Sequence, residues 1–430
     1  MKLRRALIAS AVASAAVGLL PTQALADDHG GEVKIGIVTF LSGAAASPFG
    51  VPARNAAEML IQAFNSGTAP APYNTKGFGG MKIKPVIIDE AGSGTNTVTE
   101  YRNLVQREKV DLVVGYVSSG NCLAVAPVAD ELKTVTYLFD CGTPRIFEES
   151  PKKFAFRSTN HAAADNVGAA LYLKSIGLKA KSFSGINQNY AWGQDSWADF
   201  ERSMKVFYPD AKIGTSQMPK LFAGQYSAEI SALLRSRADV VHSSLWGGDL
   251  EAFILQAVPR GLFKRSTVVL TAGEPAMFRM ADKIPDGTII GARGPFGLAA
   301  PDTELNRWFR SQYSDRYNTP PTYPSYHMAH GIMAAKMAYE RAMKANGGKK
   351  PTSEQLAAAT RGMTFEGPGG SAKFALSGGQ QAVGDYAYGQ FKKVNGKPTI
   401  TNIKRFTVDQ IMPPDGVKTA DWINSGFKAK

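Results

Sequence analysis

The sequence predicts an α/β protein built as two doubly wound lobes, and three observations carry that prediction. Short apolar runs rich in β-branched residues alternate with helix-patterned segments of roughly 10–15 residues, the pattern of parallel strands joined by crossovers. The alternation halts and restarts once, after Phe154-Ala-Phe-Arg157. The chain has 430 residues, 44% hydrophobic and only 20% charged. That is too apolar for a disordered polymer and too long for one small core.

Each element follows from local pattern. Val33–Phe40 is a strand with apolar residues at adjacent as well as alternating positions, as in a strand buried on both faces. Ala53–Phe64 carries apolar residues at helical spacing. Beyond the Gly/Pro-rich loop Ser66–Gly80 come the strand Met81–Ile88, ending in Asp89-Glu90, and the helix Thr95–Lys109. The strand Asp111–Gly115, the helix Ala124–Leu132 and the strand Val135–Phe139 complete the first series.

The second series runs helix Ala162–Ile176, strand Ser182–Ile186, helix Trp192–Phe207, strand Ala211–Ser216 and helix Ser227–Arg235. Strand Asp239–Ser243, helix Asp249–Val258, strand Thr267–Leu270 and a short helix around Pro275–Met280 close it. The C-terminal third returns to helix at Asp302–Tyr317, His327–Ala345 and Ser353–Thr360, the last preceded by the capping pattern Thr352-x-x-Gln355. Gly367–Gly379 reads as loop-rich, Tyr386–Lys392 and Ile400–Val408 as strands, and the last 20 residues, with Pro413-Pro414, as an extended surface tail.

Residues 1–26 have another character. Lys2, Arg4 and Arg5 precede the apolar stretch Ala6–Leu20, and Ala24-Leu25-Ala26 supplies small residues for cleavage, which together form a secretory leader. The stretch is shorter than the roughly 20 residues a membrane span needs, and no later segment comes close. The Arg4-Arg5 pair stands alone, so the general secretory route is expected. The two cysteines, Cys122 and Cys141, suit an oxidising compartment as an even number, and a disulfide is the favoured reading over two buried thiols. The net charge of +13 is scattered, with no basic run and no aromatic–basic interleaving, so nucleic acid is not an expected partner.

No chemistry of turnover is legible. The chain lacks a phosphate-binding G-x-x-x-x-G-K-[ST] loop, a strand-borne G-x-G-x-x-G, a G-x-S-x-G elbow and an H-E-x-x-H helix. His327 and His330 have i,i+3 spacing, but no Cys or Glu joins them, and packing or surface histidines are expected rather than a metal site. Asp89-Glu90 reads as polar strand-end residues. In open α/β sheets ligands bind beyond the carboxyl ends of the strands. The loops there, including Ser42–Gly50, Tyr116–Cys122, Asp140–Arg145, Asn187–Gly193, Ser244–Asp249 and Thr271–Pro275, offer hydroxyls, glycines and aromatics, which bind rather than react. No catalytic residue, metal or cofactor is expected.

Val33-Lys-Ile-Gly-Ile-Val, Leu41-Ser-Gly43, Phe49-Gly50 and Ala53-Arg-Asn-Ala-Ala-Glu58 resemble the start of the type I periplasmic solute-binding proteins, in their leucine/isoleucine/valine-binding branch. The resemblance continues through Asp111–Gly120, Pro127–Glu131, Asn189–Gly193, Gly261-Leu-Phe-Lys264 and Gly367-Pro-Gly-Gly370, covering about residues 32–395. It implies two Rossmann-like lobes joined by a three-strand hinge: 31–158 plus 294–384, and 159–293 plus 385–410, with 411–430 as the tail. It implies a periplasmic subunit that traps a small carboxylate-bearing solute, an amino acid or an aromatic acid, for an ABC permease in the membrane. The binding subunit itself would be a monomer and not membrane-embedded. A ligand-sensing module of the same fold acting with a receptor is the alternative, and an exported hydrolase a remote third.

By the same resemblance, Ser119, flanked by Ser118 and Gly120, holds the solute carboxylate, with Cys141, Gly142 and Thr143 beside it. Phe49, Tyr190, Trp192 and Trp246 form the aromatic wall, and Glu274 takes an ammonium group. Two tryptophans where relatives often carry tyrosine imply a flatter apolar wall. Cys122 and Cys141 fall at the carboxyl ends of neighbouring strands, so a bond between them would stiffen the carboxylate corner.

Overall fold

The computed structural model describes residues 31–91 and 94–428; the expected leader, 1–26, lies outside the described residues. Fifteen strands form two sheets. In chain order they are β1 (Glu32–Thr39), β2 (Lys82–Asp89), β3 (Leu112–Gly115), β4 (Thr136–Leu138), β5 (Ala155–Arg157), β6 (Ser182–Ile186), β7 (Lys212–Gln217) and β8 (Val240–Ser243). Then follow β9 (Thr267–Leu270), β10 (Ile289–Gly291), β11 (Thr364–Gly367), β12 (Gly370–Leu376), β13 (Gln381–Val383), β14 (Tyr386–Val394) and β15 (Lys397–Phe406).

The first sheet has eight strands in the order β11-β12-β13-β5-β4-β3-β1-β2, and the second has seven in the order β15-β14-β10-β9-β8-β6-β7. The centre of each is parallel, as βαβ crossovers dictate. Successive residues of the second sheet face opposite layers: Val240, Val269 and Ile289 join one core, Val241, Leu270 and Ile290 the other. Burial on both faces is why these strands read as unbroken apolar runs. The sheets are not purely parallel, however. The C-terminal third adds antiparallel edges, β11–β12 on one sheet and β14–β15 on the other.

The chain passes between the sheets after β5, after β10 and after β13. In the first lobe the helix Tyr323–Ala345 packs along the helix Val51–Ser66, with Met333, Tyr339, Leu60 and Phe64 in one core. Lys336 of that long helix is fully buried. Its Nζ donates to the carbonyls of Thr75 and Gly77 at 2.9 and 2.5 Å and pairs with Glu340 at 2.5 Å. It thereby anchors the Gly/Pro-rich loop to the lobe. The capping box at Thr352 and Gln355 forms as the sequence pattern requires.

The end of the chain differs from the surface tail read in the sequence. Val408–Ile411 and Thr419–Asn424 are helical, and Ile411, Met412, Trp422 and Ile423 are buried. Four- and six-residue helices are too short to show an apolar period, so only their packing reveals them. Among the described residues, no helix is long and apolar enough to cross a membrane.

Candidate ligand-binding cleft

The carboxyl ends of both sheets face each other across a narrow cavity of about 10 Å³, room for a water-sized body. The first lobe supplies Phe49 from the turn before the helix Val51–Ser66, Val117 and Ser119 after β3, Asp140 and Gly142 after β4, and Tyr323 from the start of the long helix. The second lobe supplies Tyr190 and Trp192 after β6, Trp246 after β8 and Ala272 after β9, while Arg293 comes from the crossing after β10.

Two glycines permit this closeness. A Cβ on Gly50 would sit 1.5 Å from the Phe40 carbonyl oxygen, so only glycine lets the turn carrying Phe49 fold onto the end of β1. A Cβ on Gly142 would sit 2.1 Å from the Trp192 ring and 2.8 Å from Arg293 Nη2. The loop after β4 therefore closes over Trp192 only with glycine there.

The walls are aromatic. Phe49 lies edge-on to Trp246 and Tyr323, with centroids 5.2 and 5.3 Å away. Trp192 Nε1 donates to the Ser244 carbonyl at 2.9 Å, and Trp246 Nε1 to the Tyr190 hydroxyl at 2.8 Å. Both indole N–H groups are thus spent on protein, which leaves the Tyr190 hydroxyl hydrogen to donate elsewhere.

The polar side centres on Ser119 and Arg293. Ser119 Oγ accepts the amides of Gly142 and Thr143 at 3.1 and 3.2 Å, so its own hydrogen is available. Buried Glu90 accepts from the Val117 and Ser118 amides at 2.7 and 2.8 Å and so sets the loop that carries Ser119. Burial, opposed by these donors, pushes the Glu90 carboxyl up to about 8. Arg293 Nη1 donates to Asp140 Oδ1 at 2.5 Å, its Nε lies 3.5 Å from Asp165 Oδ2, and its guanidinium carbon stacks 4.5 Å from the centre of the Trp192 ring. Burial disfavours its charge, but Asp165 and Asp140 outweigh burial and hold the guanidinium charged. Asp140 Oδ1 also meets His327 Nδ1 at 2.7 Å. Arg293 Nη2 and Asp140 Oδ2 are buried without a partner. A donor and an acceptor, both desolvated beside one cavity, are costly unless something completes them.

Of the residues expected from sequence, Phe49, Ser119, Gly142, Tyr190, Trp192 and Trp246 line this cavity. Ser118 and Gly120 line instead an outer groove of about 1130 Å³, with Phe40, Ser42 and Phe222. Thr143 turns away, and its hydroxyl donates to Asp195 Oδ2 at 2.6 Å. Cys141 lies beneath the surface in a disulfide with Cys122, Cα atoms 6.4 Å apart, both residues fully buried. Glu274 is outside the cavity wall. Its Oε2 accepts the Tyr323 amide at 2.9 Å, and burial pushes its carboxyl up to about 8. Its Oε1 is buried without a partner.

Sequence reasoning missed Val117, Asp140, Ala272, Arg293 and Tyr323. Asp140 and Ala272 fall in loops singled out by the strand-end rule, and Arg293 in the crossing, so their location was legible and their role was not. Tyr323 was hidden because the long helix begins four residues before His327. Among the described residues, no group of three or more His, Cys, Asp or Glu could hold a metal ion. His330 packs instead against Phe296 and Phe365.

The sequence matches the periplasmic binding protein family over residues 32–397. The chain belongs to that family. An amino acid binding protein of Pseudomonas aeruginosa is 28% identical over 245 residues, 56% of this chain. The match spans 59%, about three-fifths, of that curated relative's length. A solute-binding protein of an ABC transporter from Rhodopseudomonas palustris, solved with 3,4-dihydroxybenzoic acid, superposes with a TM-score of 0.75 at 21% identity, covering 87% of this chain and 97% of that one. The branched-chain amino acid transporter substrate-binding protein LivJ of Streptococcus pneumoniae, solved with isoleucine, gives 0.71 at 17%, covering 87% and 99%. At these identities the structural likeness is one of fold: the two-lobed α/β architecture of this periplasmic binding protein is theirs.

Proposed function

We propose that this periplasmic binding protein is the solute-binding subunit of an ABC importer, working in the periplasm as a monomer and delivering a small carboxylate-bearing solute to a membrane permease. The observation that carries the reading is the unpartnered Nη2 of buried Arg293, in one aromatic-lined cavity with the free hydroxyl hydrogen of Ser119. One carboxylate oxygen accepts from the guanidinium and the other from the hydroxyl, and the lobes part to admit an apolar or aromatic body among Phe49, Trp192, Trp246 and Tyr323. Hinge rotation at the three crossings opens and closes the cavity around the solute, the change a permease can sense. Nothing among these groups makes a nucleophile–base pair, so binding without turnover is the chemistry proposed.

An α-amino acid is the second reading, supported by Asp140 Oδ2, a buried acceptor that an ammonium group would complete. Calorimetric titration with benzoate and with phenylalanine separates the two. Benzoate binding alone favours an aromatic acid, phenylalanine alone an amino acid, and the absence of both, together with isoleucine, sinks the carboxylate assignment. Genes for a receptor rather than a permease beside this one would move the proposal to the sensing module.

A further inference from the structure

A second cavity lies away from the cleft, where the end of the chain crosses the first hinge segment. It offers about 180 Å³ between Phe147, Arg157, His161, Leu376 and the segment Pro413–Lys418. That segment follows β15 of the second sheet yet is fastened to the first lobe. The Ser377 amide donates to Asp415 Oδ1 at 2.6 Å, and Thr419 donates to Glu148 Oε1 through its amide at 3.0 Å and its hydroxyl at 2.6 Å.

Two deeply buried donors face this space. Arg157 is 1% exposed; its Nε donates to Gln381 Oε1 at 2.5 Å and its Nη1 to the carbonyls of Cys141 and Thr143 at 3.0 and 2.6 Å. Its Nη2 has no partner among the described residues. His161 is 4% exposed and caps the helix Ala162–Ser175, its Nδ1 accepting from the Ala163 amide at 3.2 Å. With Nδ1 an acceptor, the ring proton sits on Nε2, which likewise has no partner among the described residues. Burial, Arg157 and Arg293 all keep this imidazole neutral. The positive end of a 14-residue helix adds to the field of the guanidinium.

We infer that this cavity is a binding site for a small monocarboxylate, its anionic oxygens on Arg157 Nη2 and His161 Nε2–H and its apolar body against Phe147, Leu376 and Pro413. Glu148, Asp415 and Lys418 also stand at the wall, so the lining carries two cations and two acids and suits a single negative charge. The occupant touches the first lobe, the hinge and the strap from the second lobe at once. It also shares Arg157 with the carbonyls of the loop that carries Gly142. The site is independent of what the cleft takes.

Histidine-labelled full-length protein titrated with sodium propionate, against sodium chloride at equal ionic strength, tests this by NMR at neutral pH. The His161 ring resonance is expected to shift to saturation with propionate and to stay still with chloride. Val417→Trp, which fills the cavity, abolishes the shift, and Trp246→Ala, which alters the cleft, leaves its midpoint unchanged. A His161 resonance that does not respond, that responds equally in Val417→Trp, or that loses its response in Trp246→Ala overturns the site. A response to inorganic phosphate but not to propionate overturns the monocarboxylate assignment.

Discussion

Arg293 stacks its guanidinium on the Trp192 indole at 4.5 Å while one edge of the same group is bonded to Asp140. The cation of the cleft is thus fixed from its face and from one edge, Nε lies 3.5 Å from Asp165, and Nη2 is left without any partner. Arg293→Lys keeps the charge but loses the planar fork and the stack. The expected result is solute affinity reduced by about 2 kcal/mol, roughly 30-fold, with an unchanged far-UV spectrum. Undiminished affinity removes Arg293 from the site.

Ser119→Ala frees the amides of Gly142 and Thr143 as well as deleting the proposed donor to the solute. Calorimetry is expected to show binding weaker by ~1–2 kcal/mol. Denaturant unfolding should register a smaller loss than binding does, and equal losses would mean a purely structural role.

Trp246→Ala removes the ring against which Phe49 packs at 5.2 Å and the donor that orients Tyr190. Affinity is expected to fall by about 2–3 kcal/mol, the scale of truncating a central aromatic anchor, with the fold retained. Wild-type affinity in this variant places the solute elsewhere.

Glu274 gives the fold a pH dependence of known sign. Burial raises its carboxyl from 4.5 to about 8, so the folded state favours the protonated form. Its stabilising contribution is complete below about pH 4.5 and is lost as pH climbs toward 8, at up to about 1.4 kcal/mol per pH unit. Glu90 acts in the same direction. Glu274→Gln is expected to match wild type in melting temperature at pH 5 and exceed it at pH 8; parallel curves would contradict the buried, proton-retaining carboxyl.

The Cys122–Cys141 bond closes a short loop, with a sequence separation of 19, across the ends of β3 and β4. Replacing both residues by Ser is expected to cost roughly 3 kcal/mol in denaturant unfolding on loop-entropy grounds. Because both residues are fully buried, reductant should act slowly on the folded protein. Rapid reduction without denaturant would mean that the loop opens readily.

The parallel centres of both sheets were legible because strands buried on two faces, such as Val33–Phe40, spell themselves as apolar runs. β10, β11 and β13 are three or four residues long and, unlike the equally short β3, β4, β8 and β9, do not stand in the regular strand–helix alternation that marks those. Trp422 and Ile423 gave no signal for the same reason. The cleft was legible wherever a side chain stands in a strand-end loop, as with Ser119, Trp192 and Trp246. Arg293 was not, because its importance lies in a left-handed backbone at φ 53° and in two acids that come from the loop after β4 and from the helix Ala162–Ser175. The strand-end position of Glu274 says nothing of the Tyr323 amide that its carboxylate accepts away from the cavity lining.

Arg293 stands on a crossing rather than on either lobe. If the lobes close about the crossings as proposed, a pivot travels least and this guanidinium would keep nearly the same position in an open cleft as in a shut one. Trp192 and Trp246 would ride on the moving lobe and reach the solute last. On that reading capture would depend first on Arg293, and residence on the two tryptophans.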